Sequence, residues 1–165
     1  MIEIRRAGPG DGEALGEIHA AAWEAAYAPF FEPAFAAEAV LSRRTRWHER
    51  ITAGPETVLL AVLDGRPRAL SFFGPSGTRP GLAEIHSFYA HPDRWGSGVA
   101  SALMAEALRS MGDEGFVRAH LWTLRDTPRS RRFYAKCGFA ECGTTRAFDF
   151  GDGKTLEQVE YERAL

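Results

Sequence analysis

Two closely spaced glycines separate a strand-like segment from a helix-like segment in the stretch HPDRWGSGVASALM, residues 91–104. Upstream, LAEIHSFYAH largely alternates apolar and polar side chains, and after Gly98 apolar residues recur at helical spacing. The first backbone N–H groups of a helix have no partner within the helix and carry partial positive charge. Because glycine has no Cβ atom, an anion can come close to these groups. The stretch therefore predicts either a phosphate or pyrophosphate site from Gly96 to Ala100, or a tight turn without a ligand.

Two common phosphate-binding motifs do not explain this loop. A Walker loop requires Gly-Lys-Ser/Thr, and no such sequence follows. The dinucleotide fingerprint requires a third glycine and an acidic residue at the end of the next strand. Ser101 stands at the position of that glycine, and the next strand, FVRAHLWTL, contains no acidic residue. A Rossmann fold is therefore not favoured.

The segments before this loop predict one strand, two helices and a hairpin. IEIRRA alternates as a strand, and residues 8–27 and 34–51 have helical periodicity. Two apolar runs on either side of Asp64-Gly65 predict a β-hairpin, since this dipeptide favours tight turns. The apolar anchors predicted for the two helices are Leu15, Ile18, Ala22 and Trp23 in the first, and Phe35, Val40, Leu41 and Trp47 in the second.

The remaining segments complete the order βααβββαβαββ. In the strand LAEIHSFYAH, a β-bulge would bring Ile85 and Phe88 to one face. A helix follows from Gly98 to Met111, then the strand FVRAHLWTL, a helix begun by Thr127 and Pro128, and a closing hairpin. We expect a mixed α/β sheet with helices on both faces, in one domain of residues 1–165.

Composition excludes several classes of function. The formal net charge of −2 gives no electrostatic reason to expect nucleic acid or a membrane surface as partner. Nearly all basic residues are arginine, which with the alanine and glycine content we interpret as coding bias. Cys137 and Cys142 are too few for a zinc site, and we expect no metal. Without a signal peptide or a long apolar run, the sequence predicts a cytoplasmic protein with free thiols.

HPDRWGSGVASALMAEAL resembles motif A of the Gcn5-related N-acetyltransferases (the GNAT family), whose loop runs Gln/Arg-x-x-Gly-x-Gly/Ala. The aligned residues are Trp95, Gly96, Ser97, Gly98, Val99 and Ala100. In that family the backbone of this loop cradles the pyrophosphate of acetyl-coenzyme A (acetyl-CoA). Trp95 stands where Gln or Arg is usual.

LWTLRDTPRSRRFYAKCGF resembles motif B of the same family, a strand, then Asn-x-x-Ala, then a helix with Phe-Tyr-x-Lys-x-Gly-Phe. The matching residues are Phe133, Tyr134, Lys136, Gly138 and Phe139. Thr127 replaces the usual Asn and Ser130 the usual Ala. The implied architecture is the acyl-CoA N-acyltransferase fold, a mostly antiparallel sheet in which parallel strands four and five diverge.

The resemblance also implies which residues bind acetyl-CoA. Backbone groups of strand four would hold the pantetheine arm, and an N–H near Tyr89 would stabilise the developing oxyanion. The expected cofactor-binding residues are Phe88, Tyr89, Ala90, Trp95, Gly96, Ser97, Gly98, Val99, Ala100, Ser101, Thr127, Ser130, Phe133, Tyr134 and Lys136.

Two side chains are expected to carry the chemistry. Tyr134 matches the position often assigned as general acid to the coenzyme A sulfur; alternatively its hydroxyl only orients the thioester. Glu84 resembles a strand-four glutamate that some members use as a base through a bound water; alternatively it is a surface carboxylate or attracts a cationic amine. His86, two residues on, is the other candidate base or a packing residue.

The acceptor is expected against the first two helices. AAWEAAYAPFFEP is rich in aromatic residues, which predicts either a clamp for an apolar or cationic amine or simple core packing. The expected substrate-binding residues are Trp23, Tyr27, Phe30, Glu84 and His86.

We therefore expect an N-acetyltransferase that transfers the acetyl group of acetyl-CoA directly to a primary amine of a small molecule or peptide. Two alternatives stay open: an O-acetyl or other acyl-CoA transferase, and a non-catalytic domain that binds or senses coenzyme A. Homodimers are common in the family, so a homodimer is also open. The acceptor is not identified by the sequence.

Overall fold

The computed structural model describes all 165 residues. The strands are β1 (Ile2–Arg6), β2 (Thr57–Leu63), β3 (Arg66–Pro75), β4 (Ala83–Ala90), β5 (Arg118–Leu124), β6 (Ala140–Asp149) and β7 (Thr155–Ala164). The α-helices are α1 (Gly12–Ala26), α2 (Pro33–Thr45), α3 (Trp47–Arg50), α4 (Val99–Asp113) and α5 (Pro128–Lys136). The predicted order is confirmed, with the second predicted helix divided into α2 and the short α3.

The chain forms two compact units, and the first contains residues 1–74 and 87–107. Within it, β1 pairs antiparallel with β2, and β2 pairs antiparallel with β3. The predicted hairpin turn is confirmed: Asp64 and Gly65 have φ angles of 51° and 78°, the left-handed values that a two-residue turn requires. The core of this unit is formed by Leu15, Ile18, Trp47, Val58, Leu60 and Leu70.

The second unit contains residues 75–86 and 108–165. Within it, β7 lies between β5 and β6 and pairs antiparallel with both. Residues 83–85 of β4 pair parallel with residues 119–121 of β5, and this pairing covers only three residue pairs. The parallel contact predicted for strands four and five is confirmed, and the sheet is mixed in strand direction. The hydrogen-bonded order of the strands is β1-β2-β3-β4-β5-β7-β6.

Both β4 and α4 contribute residues to each unit. That residues 1–165 act as one domain therefore stays a prediction. None of the helices has the length and apolar character needed to cross a membrane.

One predicted core position is wrong. All four anchors predicted in α1 are buried, but Leu41 of α2 is 61% exposed. The buried face of α2 consists of Ala36 and Ala39, which pack with Trp23. Leu41 lies two residues beyond Ala39, about 200° around the helix, and so points away from this face.

The start of α5 follows the predicted signals, and a glycine marks its end. Thr127 is the N-cap residue, Pro128 occupies the first turn, and Gly138 ends the helix with a φ of 87°. The Thr127 hydroxyl makes no capping bond and donates instead to the carbonyl of Leu124, at 2.7 Å.

Candidate active site

The glycine loop lies between β4 and α4, at the N-terminus of a 15-residue helix. Gly96 and Gly98 have φ angles of 79° and 88°, which side-chain-bearing residues rarely adopt. A Cβ atom added at either position would meet no other atom within 4 Å. Backbone strain, rather than crowding by the protein, therefore accounts for glycine here, and the space beside the loop is open.

Several N–H groups of this loop have no protein acceptor. Ser97 donates to the carbonyl of Arg94, and Val99 donates weakly to the Ser97 hydroxyl. No backbone hydrogen bond outside the regular elements begins at the N–H of Gly96, Gly98, Ala100 or Ser101. These groups stand at the positive end of the α4 dipole, and they are the groups that would hold a pyrophosphate.

Trp95 ties this loop to the end of β4. Its indole Nε1 donates to the carbonyl oxygen of Ala90 at 2.9 Å. The same strand end is fixed by His91, whose N–H donates to the carbonyl of Arg68 at 2.8 Å. The tryptophan at this unusual position thus connects the loop to the end of β4. Its hydrogen bond occupies one lone pair of the Ala90 carbonyl oxygen, and Ala90 is a residue expected to hold the pantetheine arm.

The other expected cofactor-binding residues on the loop and on β4 vary in exposure. Val99 is buried, and Phe88, Tyr89, Ala100 and Ser101 are half-buried. Their contacts with a cofactor stay predictions.

In the second unit, the residues of motif B lie along α5. Tyr134 is half-buried, and its ring contacts those of Phe133, Phe139 and Tyr161 at centroid distances of 5.5, 6.2 and 6.3 Å. Ser130 is half-buried and Lys136 is exposed. Thr127 is buried and its hydroxyl donates to the carbonyl of Leu124, so its hydroxyl proton is not available to a pantetheine arm.

A polar network joins β4, β5 and β7 in the same unit. His86 Nδ1 lies 3.4 Å from Glu84 Oε2, so these two side chains share one face of β4. His120 Nε2 lies 3.4 Å from Glu84 Oε1, and the Ser76 hydroxyl donates to the same oxygen at 3.2 Å. His120 Nε2 is also 2.7 Å from Ser76 Oγ, while its Nδ1 is 2.8 Å from Glu160 Oε2. Two carboxylates are therefore connected through one imidazole.

Glu160, at the β7 end of this network, accepts further hydrogen bonds. Arg79 Nη1 donates to Glu160 Oε2 at 3.2 Å and to Glu162 Oε2 at 2.7 Å. The Cys142 thiol donates to Glu160 Oε1 at 3.0 Å. Burial raises the pKa of Glu160, but the bonds from Cys142, Arg79 and His120 outweigh this and lower it. Glu160 is thus an ionised, buried acceptor that requires a proton on Nδ1 of His120.

The environment of Glu84 keeps it ionised. Burial raises the pKa of Glu84, but hydrogen bonds and charges from His120 and His86 outweigh this, so that the pKa lies well below its ordinary value. A carboxylate with so low a pKa is a weak base at neutral pH. It is well suited to attract an ammonium group or to hold a water molecule.

Neither His120 nor Glu160 was predicted from the sequence as a site residue. The signal in the sequence is a single polar residue within an apolar segment, His120 in AHLW and Glu160 in VEY. Both side chains are buried in the structure. Their pairing depends on the register of β5 and β7, which no local pattern reveals.

The aromatic segment predicted for the acceptor lies in the first unit. Trp23 is buried and stacks on Phe31 at 5.4 Å, and it meets Tyr27 edge-on at 6.0 Å. Tyr27 in turn approaches Tyr89 of β4 edge-on at 6.4 Å. Phe30 is 37% exposed. These contacts connect the segment to β4, although part of it, Trp23 above all, is core.

His19 lies on the other side of Tyr89. Its ring stacks on that of Tyr89 at 4.4 Å, and its Nδ1 accepts a hydrogen bond from Trp47 Nε1 at 3.1 Å. Because Nδ1 is an acceptor, the imidazole is neutral. Burial first, and then the charges of three nearby arginines, lower the pKa of His19 to about 2.

Known proteins share both sequence and fold with this chain. The profile of the Acetyltransferase (GNAT) family matches residues 15–139. An uncharacterized N-acetyltransferase of Mycobacterium tuberculosis is 31% identical over 143 residues, covering 86% of this chain and 90% of that protein. A probable N-acetyltransferase of the same species is 24% identical over 165 residues, covering 97% and 92%.

Solved structures extend the likeness in fold. A PaiA N-acetyltransferase from Thermoplasma acidophilum, in complex with coenzyme A, superposes with a TM-score of 0.78 at 20% identity, covering 100% of this chain and 99% of that one. An N-acetyltransferase from Staphylococcus aureus gives a TM-score of 0.77 at 20% identity, covering 99% and 98%. The family match over most of the chain decides the assignment: this protein belongs to the GNAT family of acetyltransferases.

Proposed function

We propose that this protein transfers the acetyl group of acetyl-CoA directly to a primary amine. The observation that carries this proposal is the glycine loop, whose unpaired N–H groups stand at the N-terminus of α4 in a chain of the GNAT family. Donors of this kind suit a pyrophosphate. The coenzyme A complex of a structural neighbour supports the same ligand class.

In the proposed reaction, the amine nitrogen forms a bond to the thioester carbonyl carbon and the carbon–sulfur bond breaks. The backbone N–H near Tyr89 stabilises the negative charge on the carbonyl oxygen. Tyr134 donates a proton to the departing thiolate, as its match to motif B implies. The bound ammonium gives up one proton, to water held by Glu84 or to Glu84 itself, before its nitrogen attacks. The tetrahedral intermediate loses a second nitrogen proton to water, and Tyr134 regains its proton from water.

The polar network supports a charge-based role for Glu84 in this proposal. Since its pKa is lowered by His120 and His86, Glu84 first draws the protonated amine to the site and then orients it or a water molecule. His86 lies beside it with a ring nitrogen 3.4 Å from the carboxylate, and it is the second candidate to receive the proton. A carboxylate whose pKa is held this low acts by positioning and charge more than by basic strength.

The test begins with ligand binding. Thermal stability is measured with saturating acetyl-CoA, coenzyme A and NAD in parallel. A ligand at a hundred times its dissociation constant adds about 2.7 kcal/mol to the free energy of unfolding. We expect stabilisation by acetyl-CoA and coenzyme A but not by NAD.

Transfer is then measured as release of the coenzyme A thiol in a panel of amines and alcohols. Release that depends on an amine supports the proposal. Release that depends only on alcohols, or tight coenzyme binding with no release in any reaction, would instead support the O-acetyl or the non-catalytic alternative.

A further inference from the structure

Three arginines lie on one side of the helical segment formed by α2 and α3. Arg43, Arg46 and Arg50 are separated by three and four residues, the spacing that places side chains on a common helix face. Arg46, which links the two helices, has helical backbone angles, so the spacing holds across the junction. All three are half-buried.

The charges of these arginines act on the phenol of Tyr89. Burial raises the pKa of Tyr89, and the charges of Arg43, Arg46 and Arg50 each act against this rise. The same three charges act on His19, whose ring stacks on Tyr89. The arginines therefore place positive charge near Tyr89, the residue of β4 that the aromatic segment contacts through Tyr27.

None of the three forms an ion pair. Arg43 donates to the carbonyl of Ala39 at 3.1 Å and lies over the ring of Trp23 at 4.3 Å. Its Nε atom is buried and has no hydrogen-bond partner. Arg46 donates to the Ser42 hydroxyl at 2.9 Å.

Arg50 lies over the rings of Trp47 and Phe72, at 5.2 and 5.3 Å. The charge of Glu56 raises the pKa of Arg50, but Glu56 forms no ion pair with it. Elsewhere in the chain arginines do pair with carboxylates at 3.2 Å or less, as Arg5, Arg79, Arg109, Arg125 and Arg131 do.

The missing counter-charge is costly. Burial lowers the pKa of Arg43 to about 10 and also lowers those of Arg46 and Arg50, and repulsion from neighbouring arginines adds to the effect on Arg43 and Arg50. Half-buried guanidinium groups without a carboxylate partner destabilise a fold unless something else supplies negative charge. The planar guanidinium binds carboxylates and phosphates through paired hydrogen bonds.

We propose that Arg43, Arg46 and Arg50 bind a carboxylate or phosphate group of the acceptor, so that the substrate is an amine that also carries a negative charge. This inference rests on the proposed function and narrows its substrate class. Tyr27 and Phe31 are half-buried and pack against Trp23, over which Arg43 lies, so they suit an apolar part of the same molecule. A polycation is a poor fit, because three unpaired positive charges repel it.

Binding of an anion is tested first, with saturating coenzyme A present so that the coenzyme site is filled. Benzoate is compared with benzamide, which has nearly the same shape but no charge. We expect benzoate to raise the melting temperature and benzamide to have little effect. The apparent affinity for benzoate should fall at least tenfold in Arg46→Gln and less in Arg46→Lys, which keeps the charge.

The matched control is Arg44→Gln, a substitution at an exposed neighbour on α2. It should leave the benzoate response unchanged. Equal benzoate responses in wild type, Arg44→Gln and Arg46→Gln would overturn the proposal, and so would no response in wild type. A loss of coenzyme A affinity in Arg46→Gln would assign these arginines to the phosphates of the coenzyme and would overturn it as well.

Acceptor preference is tested with matched amines: L-phenylalanine against its amide, and phosphoethanolamine against ethanolamine. We expect a preference in kcat/KM of at least tenfold for the anionic member of one pair, lost in Arg46→Gln and kept in Arg44→Gln. The pair that shows the preference distinguishes a carboxylate from a phosphate. If amines are acetylated without preference for a negative charge, this inference fails and the proposed function stands. If benzoate binds but no amine is acetylated, the proposed function fails instead.

Discussion

His120 Nδ1 lies 2.8 Å from Glu160 Oε2, in a position where His120 has no solvent exposure. This contact fixes the orientation of the imidazole, because the ionised Glu160 accepts the Nδ1 proton. The opposite nitrogen then faces Glu84 and Ser76. His120 is therefore a positioning residue that links the proposed substrate-attracting carboxylate to β7.

Replacement of His120 should shift the pH dependence of turnover. Because His120 helps to lower the pKa of Glu84, and burial opposes it, His120→Gln should raise that pKa. Glu84 is then protonated at a higher pH, so activity should begin to fall at a higher pH as the solution is acidified. The pH profiles of kcat/KM for wild type and variant measure this shift.

The control for this experiment is His48→Gln, at an exposed histidine of α3. Its profile should coincide with that of wild type. A uniform loss of activity in His120→Gln, with no displacement of the acidic limb, would mean that His120 acts only through stability.

Substitution of Gly98 should weaken coenzyme binding more than it weakens the fold. Alanine at this positive φ costs about 1 kcal/mol of backbone strain, and the added methyl group projects into open space beside the loop. A pyrophosphate held by the loop would meet that methyl group. We expect the coenzyme A dissociation constant of Gly98→Ala to rise at least tenfold, measured by calorimetry.

Gly115→Ala is the matched control for Gly98→Ala. Gly115 also has a positive φ, of 96°, and open space around its Cβ position, but it lies beyond the end of α4. Both variants should lose similar stability, and only Gly98→Ala should lose affinity. Equal coenzyme A dissociation constants in the two variants would mean that the loop does not bind the coenzyme.

Tyr134→Phe should lower turnover about a hundredfold with little change in coenzyme A affinity, because loss of a general acid affects the transition state. Stopped assays of thiol release give turnover, and calorimetry gives affinity. Tyr161→Phe is the control, since this neighbouring hydroxyl accepts a hydrogen bond from Arg131 Nε at 3.0 Å. It should cost about 1 kcal/mol of stability and leave turnover intact. Unchanged turnover in Tyr134→Phe would mean that its hydroxyl does not protonate the thiolate.

Local signals predicted those parts of the structure that depend on neighbouring residues. The turn at Asp64-Gly65, the start of α4 after Gly98 and the ends of α5 at Thr127 and Gly138 all follow from backbone preferences encoded within a few residues. The buried face of α2 is harder to predict, because helical periodicity alone does not say which side of the helix meets Trp23. The prediction of Leu41 as a core residue is wrong for this reason.

The candidate site was predicted less completely than the fold. The contact between Glu84 and His86 follows from the sequence, since alternation along one strand places residues two apart on one face. The contact of His120 with Glu160 requires β7 to lie beside β5, an order in space that differs from the order in sequence. The sequence does not distinguish Arg43, Arg46 and Arg50 from the other arginines, because their lack of ion pairs on one half-buried helix face is visible only in the structure.

His19 should make the protein less stable in mild acid. Its pKa of about 2 in the folded state is depressed by burial and by the neighbouring arginines, whereas an unfolded histidine has a pKa of about 6.5. Between these values the unfolded chain binds a proton that the folded chain does not, so the free energy of unfolding falls as the pH falls. The loss reaches about 1.4 kcal/mol per pH unit, or about 2 kcal/mol by pH 5.

His19→Asn, which keeps an acceptor for Trp47, should reduce the difference between urea-unfolding free energies at pH 7 and pH 5 by this amount. His48→Asn, at an exposed histidine, should not change it. An equal difference in wild type and His19→Asn would show that His19 is not the group that binds the proton on unfolding.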